Sequence, residues 1–288
     1  MKIIVLKFGG TSIGSIHRIK KVARIVKSYT KKYKVIILSS AMSGTTNKLI
    51  DMSKKISDNF ADNEYDTLVS AGEQISCSLL AGQLIENGIQ ARSLMAWQIP
   101  IITEGQHKYS RIKYIYKKRI LKFLNAGIVP VIAGFQGINK DLKITTIGRG
   151  GTDASAIMFA KFFKADRCVI YTDVEGVFTT DPNKLKKAKK IKNISYEEML
   201  EMASLGSKVM QPHSIQDARL NRINIEVKSS FLNKSGTLIT KKKNIINNKI
   251  ITGISSTEND SKITLLGVKD RPGIAASIFK PLSKNSIN

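Results

Sequence analysis

Short apolar runs alternate with helix-length amphipathic segments through the first 230 residues of the chain. The runs IIVLKF at 3–8 and VIIL at 35–38 have no regular polar face that could be turned toward water. Such strands are typical of parallel sheets, whose two faces are both covered by helices. The pattern predicts an α/β fold with a largely parallel sheet, with further strands at 91–95, 129–133, 168–172 and 224–228.

The segments between these runs have helical periodicity. Ser12 or Ser15 can cap the helix after the first run. The polar stretch SSAMSGTTN after the second run is expected to be a loop. The face of the first helix is expected to comprise Ile16, Ile19, Val22 or Ala23, and Val26, and further helices are expected over 63–87, 111–125, 153–164, 195–205 and 213–221.

The length of 288 residues indicates roughly two domains. Composition changes at 233–249, NKSGTLITKKKNIINNK, which we interpret as a linker or an exposed edge hairpin. A strand, KITLLGV, and a helix, AASIFKPLSK, follow it, and these two elements are too few to bury a core. We therefore expect one domain over 1–245 and a linker with an incomplete second domain over 246–288.

The chain has 47 Lys and Arg against 22 Asp and Glu, a formal net charge of +25. Basic domains of this kind often bind nucleic acid. Here the basic residues are scattered, and the densest block, KLKKAKKIK at 184–192, has no interleaved aromatic residue or glycine. An anionic small substrate fits the charge equally well, so no nucleic-acid partner is expected.

Targeting signals are not evident in the sequence. No run approaches the ~20 apolar residues that span a bilayer, and the N-terminal apolar run is too short for a signal peptide. Cys77 and Cys168 lie in apolar contexts without metal-ligand spacing, which predicts buried thiols in a reducing compartment. The expectation is a cytoplasmic protein with no membrane partner.

Three glycine-containing segments follow predicted strands. VLKFGG at 5–10 ends its strand in Lys7, and GRGGTDAS at 148–155 follows the short strand KITTI and opens a helix, with Thr152 or Asp153 as its cap. YTDVEGVFTTDP at 171–182 has several turn residues after the strand CVIY. Glycines let a ligand approach the backbone closely, and a helix start attracts anions. The alternatives are a solvated lysine with a tight turn at 5–10 and an ordinary loop at 171–182, which is the favoured interpretation of that segment alone. The three loops together favour phosphate binding.

The loops do not match the common nucleotide-binding motifs. There is no GxxxxGK[ST], FGGTSIG is not GxGxxG, and neither HRD nor DFG occurs. P-loop, dinucleotide-binding and protein-kinase mechanisms are thereby excluded. The residues alone indicate an α/β enzyme that handles phosphate near Lys7, Arg149 and Asp153.

Taken together, the motifs resemble those of aspartate kinases in the amino acid kinase family. The matching segments keep that family's order and spacing across nearly the whole chain. The tail KITLLGVKDRPGIAASIF resembles the first strand and helix of an ACT regulatory domain. The other matching segments are KFGGTS at 7–12, SAMSGTTN at 40–47, AGE at 71–73, GRGGTD at 148–153, YTDVEGVFTTDP at 171–182 and EEMLEMASLGSKVM at 197–210.

The resemblance implies a three-layer α/β/α sandwich with a mainly parallel central sheet, the amino acid kinase fold, followed by a partial ACT-like βα tail. It implies phosphorylation of the β-carboxylate of L-aspartate by MgATP, the first step toward lysine, threonine and methionine, and a homo-oligomer for the full-length protein. A carboxylate is already ionised at neutral pH, so no general base is needed. His17, His107 and His213 are then expected to be structural or exposed.

The resemblance also implies residue roles. Lys7 would contact the transferring phosphoryl group, Asp153 would orient Lys7 or the metal shell, and Arg149 would bind the substrate α-carboxylate. Mg²⁺ is expected on phosphates and waters, without a named protein ligand. The implied ATP-binding residues are Lys7, Phe8, Gly9, Gly10, Tyr171, Thr172, Asp173, Val177, Phe178, Thr179, Thr180, Asp181, Pro182 and Lys208. The implied substrate-binding residues are Ser40, Thr45, Thr46, Glu73, Arg149, Gly150, Gly151 and Thr152, with Glu73 on the α-ammonium.

Two departures from the family pattern qualify these roles. Asn183 stands where many relatives have arginine, which weakens a cationic contact to ATP there. The chain ends inside the first ACT module, so insensitivity to lysine and threonine is expected. The alternatives are a kinase for another carboxylate, acetylglutamate or glutamate, and a basic nucleic-acid-binding module.

Overall fold

The computed structural model describes residues 1–207, 209–241, 251–257, 264–265, 267–268 and 271–284. No helix in these ranges combines the length and apolar character needed to cross a membrane. The helices described are α1 (Ile16–Thr30), α2 (Thr45–Ile56), α3 (Asp62–Glu86), α4 (Lys117–Asn125), α5 (Gly151–Phe162), α6 (Tyr196–Ser204), α7 (Pro212–Asn221) and α8 (Ile274–Lys284). The strands are β1 (Ile3–Phe8), β2 (Lys34–Ser39), β3 (Ala91–Leu94), β4 (Ile101–Glu104), β5 (Arg111–Ile115), β6 (Val129–Ala133), β7 (Gln136–Ile138), β8 (Ile144–Thr146), β9 (Arg167–Thr172), β10 (Asn193–Ser195), β11 (Ile225–Ser229) and β12 (Thr237–Thr240).

The main sheet has eight strands in the order β10-β12-β11-β9-β1-β2-β6-β3. β1 is parallel to both of its neighbours, β2 and β9, and the parallel pairing continues through β6, β3 and β11. β12 runs antiparallel to β11 and parallel to β10. All six strands expected from apolar runs lie in this sheet, so the prediction of a largely parallel sheet is confirmed.

Alternate residues of β1 face two separate cores, because successive side chains of a strand point to opposite sides of a sheet. Ile4, Leu6 and Phe8 pack with apolar residues of α1 and α3. Val5 packs in the opposite core with residues of α5, α6 and α7. This arrangement is the expected three-layer sandwich. Lys7 has the parity of Val5, so its side chain points toward α5.

Both cysteines are buried thiols, as predicted. Cys77 lies in the core formed with α1 and α3, and Cys168 lies in the opposite core. Burial raises the pKa of Cys77 to about 12 and also raises the pKa of Cys168. Neither thiol is therefore a nucleophile near neutral pH.

The start of α1 matches one of the two predicted caps. The Ser15 side chain accepts a hydrogen bond from the backbone N–H of Arg18 at 3.3 Å, while Ser12 is buried and accepts one from Ser230 Oγ at 2.8 Å. The expected buried face is present from Ile19 onward. The prediction for Ile16 was wrong: it is 52% exposed, because α1 contacts the core only after its first turn.

A second sheet of four strands has the order β5-β4-β7-β8. Only β8, in the KITTI segment, was predicted. The helix expected over 111–125 was wrong in its first half, where β5 pairs antiparallel with β4, and α4 begins only at Lys117. Ile112 and Ile115 are spaced like residues on one helix face, and this spacing made the strand look like the first part of a helix.

Two segments expected to be irregular are ordered. The loop SSAMSGTTN ends at Gly44, and α2 begins at Thr45. The stretch at 233–249 contains β12, which forms a hairpin with β11. β12 lies between β11 and β10 in the sheet, and its residues Thr237 and Ile239 are buried. It is therefore neither a linker nor an edge there, and residues 242–250 lie outside the described residues.

Internal contacts divide the chain into Met1–Ser256 and Thr257–Asn288. In the second unit, α8 covers the predicted helix at 275–284. Four residues of KITLLGV are described, Thr264, Leu265, Gly267 and Val268, and these four are not in a strand. The domain boundary at 245/246 and the ACT-like character of the tail stay predictions.

Candidate functional site

A cleft of about 790 Å³ opens at the carboxyl ends of β1 and β2. Open parallel sheets bind ligands outside the carboxyl ends of their strands, where neighbouring connections diverge. The carboxyl end of β1 is such a place, because the next strand in the chain, β2, lies on one side of β1 and the much later strand β9 lies on the other. The predicted site residues that line the cleft are Lys7, Gly10, Ser40, Thr46, Glu73, Arg149, Gly150, Gly151, Thr152 and Asp153.

Lys7 forms an ion pair inside this cleft. Its Nζ lies 2.7 Å from Asp153 Oδ1, and each side chain is only 11% exposed. Asp153 is in the first turn of α5, and the parity of β1 directs Lys7 toward that helix. An ammonium has three donors, so the pairing with Asp153 leaves donors that can bind an anion in the cleft.

Gly10 provides space for the protein's own loop. A Cβ on Gly10 would lie 2.8 Å from the carbonyl oxygen of Ala41, too close for any side chain. The backbone N–H of Ser43 donates to the Gly10 carbonyl at 3.2 Å. The sequence interpretation assigned this glycine to the approach of a phosphate. In the structure it also lets the loop before α2 pack directly on the turn after β1.

The start of α5 differs from the sequence prediction. Gly150 is the N-cap residue, with a left-handed φ of +72°, and Thr152 and Asp153 lie inside the helix. The predicted cap was wrong because glycine supplies the left-handed turn, while the Asp153 carboxylate contacts Lys7. The helix start, with its partial positive charge, thus faces the cleft.

Arg149 precedes this helix start and is exposed along the cleft. Among the ion pairs of the described residues, none involves its guanidinium. A guanidinium offers a planar pair of donors that matches a carboxylate. Arg149 is therefore available to a carboxylate ligand.

Glu73 lies on α3 at the opposite wall and is 4% exposed. Its Oε1 accepts a hydrogen bond from the backbone N–H of Ala41 at 2.9 Å, while Oε2 has no hydrogen-bond partner among the described residues. Burial raises the pKa of Glu73 to about 8, although the Ala41 N–H opposes this rise. An unpaired buried carboxyl oxygen at a cleft wall is costly unless a ligand supplies the missing partner.

The remaining predicted substrate residues lie on or near the same wall. Ser40 and Thr46 are partly exposed in the cleft, and the Ser40 carbonyl accepts a hydrogen bond from Ser76 Oγ at 2.6 Å. Thr45 is the first residue of α2 and does not line the cleft. The structure thus brings together the predicted substrate residues other than Thr45 around one cavity.

The predicted ATP-binding residues after β9 are outside this cleft. Thr172 and Asp173 lie at the carboxyl end of β9, next to β1, with Thr172 Oγ1 donating to Asp173 Oδ1 at 3.0 Å. Asp181 Oδ1 accepts the backbone N–H of Asn183 at 2.8 Å in an exposed turn that also contains Pro182. Thr179 and Thr180 are partly exposed, and Phe178 pairs with Lys190 in an isolated bridge.

Three of the predicted ATP-binding side chains are buried in the cores, and a fourth residue is not described. Phe8 and Tyr171 stack with ring centroids 4.9 Å apart and pack toward α1, and Val177 is buried in the opposite core. Tyr171 also lines a second cavity of about 380 Å³ next to Tyr29. Lys208 lies outside the described residues. Whether these residues bind ATP stays a prediction.

Sequence reasoning missed several residues at the cleft. Tyr65, Lys108, Tyr109 and Phe135 line it, although none belongs to a glycine loop. Phe135 has a left-handed φ of +66°, which is unusual for a residue with a large side chain. His107, next to Lys108, was expected to be structural or exposed, and no site role was predicted for these four residues.

Comparisons with known proteins agree with the geometry. The sequence pattern of the amino acid kinase family matches residues 2–229. An aspartokinase from Geobacillus stearothermophilus is 43% identical over 100% of this chain, which spans 71% of that protein. The structure of an aspartate kinase from Synechocystis superposes with a TM-score of 0.75 at 35% identity, covering 99% of this chain and 48% of the other. The structure of Escherichia coli aspartokinase III in complex with aspartate and ADP superposes with a TM-score of 0.79 at 25% identity, covering 100% of this chain and 75% of the other.

Proposed function

The chain belongs to the amino acid kinase family, and on that premise we propose that it transfers the γ-phosphoryl group of ATP to the β-carboxylate of L-aspartate. The activity is that of an aspartate kinase, a phosphotransferase with a carboxyl acceptor, and its product is 4-phospho-L-aspartate. Such a product is an activated intermediate for amino-acid biosynthesis toward lysine, threonine and methionine. The aspartokinase relatives, one of them 43% identical over the whole chain, support this assignment.

The observation that carries the proposal is the arrangement of three charged groups around one cleft. Lys7, oriented by Asp153 at 2.7 Å, lies at the base of the cleft, and Glu73 and Arg149 line the same cavity from different elements. An amino acid with a second carboxylate has three complementary charges. Its α-ammonium pairs with Glu73, its α-carboxylate with Arg149, and its side-chain carboxylate lies near Lys7.

Chemistry at this centre requires positioning and charge neutralisation. The attacking β-carboxylate is ionised at neutral pH, since the reference pKa of such a group is about 3.9. No side chain has to remove a proton. Lys7 stabilises the negative charge on the phosphoryl oxygens as the group moves, and Asp153 keeps the ammonium in place.

The nucleotide occupies the carboxyl end of β9, beside β1. Thr172 and Asp173 lie there, one strand away from Lys7. The described residues contain no cluster of three metal-ligating side chains, and Asp153 is already paired with Lys7. Mg²⁺ is usually bound by phosphate oxygens and waters with few carboxylates. The scarcity of side-chain ligands among the described residues therefore fits an ion carried by the phosphates of ATP. When bound, Mg²⁺ neutralises charge on the phosphates.

A substrate comparison tests the proposed function. Purified protein is incubated with MgATP and either L-aspartate, L-glutamate or N-acetyl-L-glutamate, and the acyl phosphate is trapped with hydroxylamine while ADP is measured. We expect the highest kcat/KM for L-aspartate. N-acetyl-L-glutamate has no α-ammonium to pair with Glu73. A higher kcat/KM for either of the other substrates, or no turnover of aspartate, would contradict the proposal.

The affinity for aspartate should depend on pH through Glu73. Because the pKa of Glu73 is raised to about 8, its carboxyl is mostly protonated at pH 6–7 in the free protein, and binding of an ammonium requires the ionised form. Raising the pH toward 8 ionises Glu73, so that its carboxyl no longer has to lose a proton when the ammonium binds. The KM for aspartate is therefore expected to fall by up to about tenfold per pH unit below 8 and then level off, as measured by initial rates at saturating ATP.

Glu73→Gln separates this effect from general pH effects. Glutamine keeps an oxygen for the Ala41 N–H, so the fold is retained, but it has no charge for the ammonium. The variant should have a raised aspartate KM that no longer changes between pH 6 and 8. If the variant keeps the pH dependence of the wild-type protein, another group controls it and the role of Glu73 is wrong.

Four further proposals concern the protein as a whole. The ACT-like character of the tail and a homo-oligomeric full-length protein follow from the sequence resemblance. The domain division at 1–245 and 246–288 follows from the change in composition at 233–249, and the cytoplasmic location follows from the apolar contexts of Cys77 and Cys168. Gel filtration of the full-length protein tests the oligomeric state.

A further inference from the structure

Asp66 is a buried carboxylate that joins α3 to two other segments and does not itself line the cleft. Its side chain has no exposed surface. Oδ1 accepts a hydrogen bond from Thr146 Oγ1 at 2.5 Å, Oδ2 lies 2.7 Å from His107 Nδ1, and both oxygens accept from the backbone N–H of Lys108 at 3.1 Å. A buried carboxylate with this many donors is a fixed point between the segments it joins.

The two segments that Asp66 holds are packed on each other. Thr146 is the last residue of β8, and Arg149 follows it three residues later. His107 and Lys108 belong to the loop between β4 and β5. A Cβ on Gly148 would lie 3.0 Å from the Lys108 carbonyl oxygen, and the Ser110 N–H donates to the Thr146 carbonyl at 3.0 Å. The loop that carries Arg149 is therefore supported from α3 through Asp66.

α3 also carries Glu73, seven residues after Asp66 and therefore two helical turns further along the same face. Both side chains are buried. One wall of the cleft is thus built on α3 itself, and the opposite wall, with Arg149, is tied to α3 by the contacts of Asp66. The separation between Glu73 and Arg149 depends on this connection.

We propose that Asp66 is a positioning residue that sets the separation between Glu73 and Arg149, and so determines how tightly the two ends of an α-amino acid are held. This inference rests on the proposed function. It predicts an effect on aspartate binding, because Asp66 contacts neither Lys7 nor the loop after β9. A misplacement of about 1 Å by a change far from the reacting atoms can cost ~10²-fold, and because Asp66 supports the clamp and does not contact Lys7, we expect this cost in the aspartate KM.

Thr146→Val is the main test, because valine keeps the shape of the wall and removes only the hydroxyl bonded to Asp66. We expect the aspartate KM to rise roughly 10- to 100-fold, with kcat and the ATP KM changed by less than about threefold. Thr146→Ser, which restores the hydroxyl, should recover most of the affinity. Asp66→Ala should have the same signature, and the double variant should be no worse than Asp66→Ala alone, since both act through one contact.

Thr103→Val is the matched control. Thr103 is a buried threonine of the same small sheet, and its hydroxyl lies 2.5 Å from that of Thr145 rather than near Asp66. Its replacement should leave the aspartate KM unchanged. A wild-type protein that does not phosphorylate aspartate overturns both proposals. An active wild type whose Thr146→Val variant keeps its aspartate KM, or changes kcat and both KM values together, overturns the positioning role only.

Discussion

Lys7→Met is expected to lower kcat for aspartate phosphorylation about 10²- to 10³-fold, the usual effect of losing one preorganised electrostatic contact. Methionine fills a similar volume without the charge. The ammonium matters most when negative charge moves between ATP and the acceptor, so kcat should fall much more than either KM rises. Steady-state rates with aspartate and MgATP measure both quantities. Lys7→Ala should be at least as damaged.

Lys2→Met is the matched control for this prediction. Lys2 lies just before β1 and pairs with Asp166 at 2.7 Å, but its side chain is 75% exposed. Such surface pairs contribute little, so kcat should stay near the wild-type value. If Lys7→Met retained more than about a tenth of the wild-type kcat, well above the range for such a contact, Lys7 would not have the catalytic role proposed for it.

Arg149→Ala is expected to raise the KM for aspartate about 10- to 100-fold or more, because a hydrogen bond to a charged group is worth ~1.5–3 kcal/mol and a guanidinium can make two of them. The ATP KM should stay nearly unchanged, since Arg149 lies on the wall away from the loop after β9. Initial rates over a range of aspartate concentrations at saturating ATP give the comparison.

Two variants define how specific this effect is. Arg149→Lys keeps the positive charge but not the planar pair of donors, so it should recover only part of the affinity. Arg92→Ala removes an exposed arginine from β3, at the far edge of the main sheet, and should have no effect on aspartate. An unchanged aspartate KM in Arg149→Ala would remove Arg149 from the substrate site.

Six of the eight strands of the main sheet could be predicted because their continuous apolar runs must be buried, whereas β10 and β12 were not predicted. A run such as VIIL at 35–38 cannot be placed in contact with water without a large loss of hydrophobic free energy. The small sheet was missed for the opposite reason. β4, β5 and β7 are only three to five residues long, and polar residues or glycine interrupt any continuous apolar signal in them.

The sequence by itself determined that glycine-containing loops follow buried strands, because apolar runs specify the strands and glycines mark where they end. Phosphate binding by these loops stays a prediction. The sequence did not specify which charges meet. The contact between Lys7 and Asp153 depends on the parity of β1 and on the position of α5 beneath the sheet. Both follow only when the sheet is assembled.

The environments of Glu73 and Asp66 were decided entirely by the tertiary structure. In the sequence, both are acidic residues on a helix, and nothing marks them as buried. Packing of α3 against the sheet removes Glu73 from water and raises its pKa, while the loops from the small sheet surround Asp66 with donors. A residue's type is local, but its solvation and partners depend on contacts between segments far apart in the chain, and these contacts convert two ordinary carboxylates into parts of the candidate site.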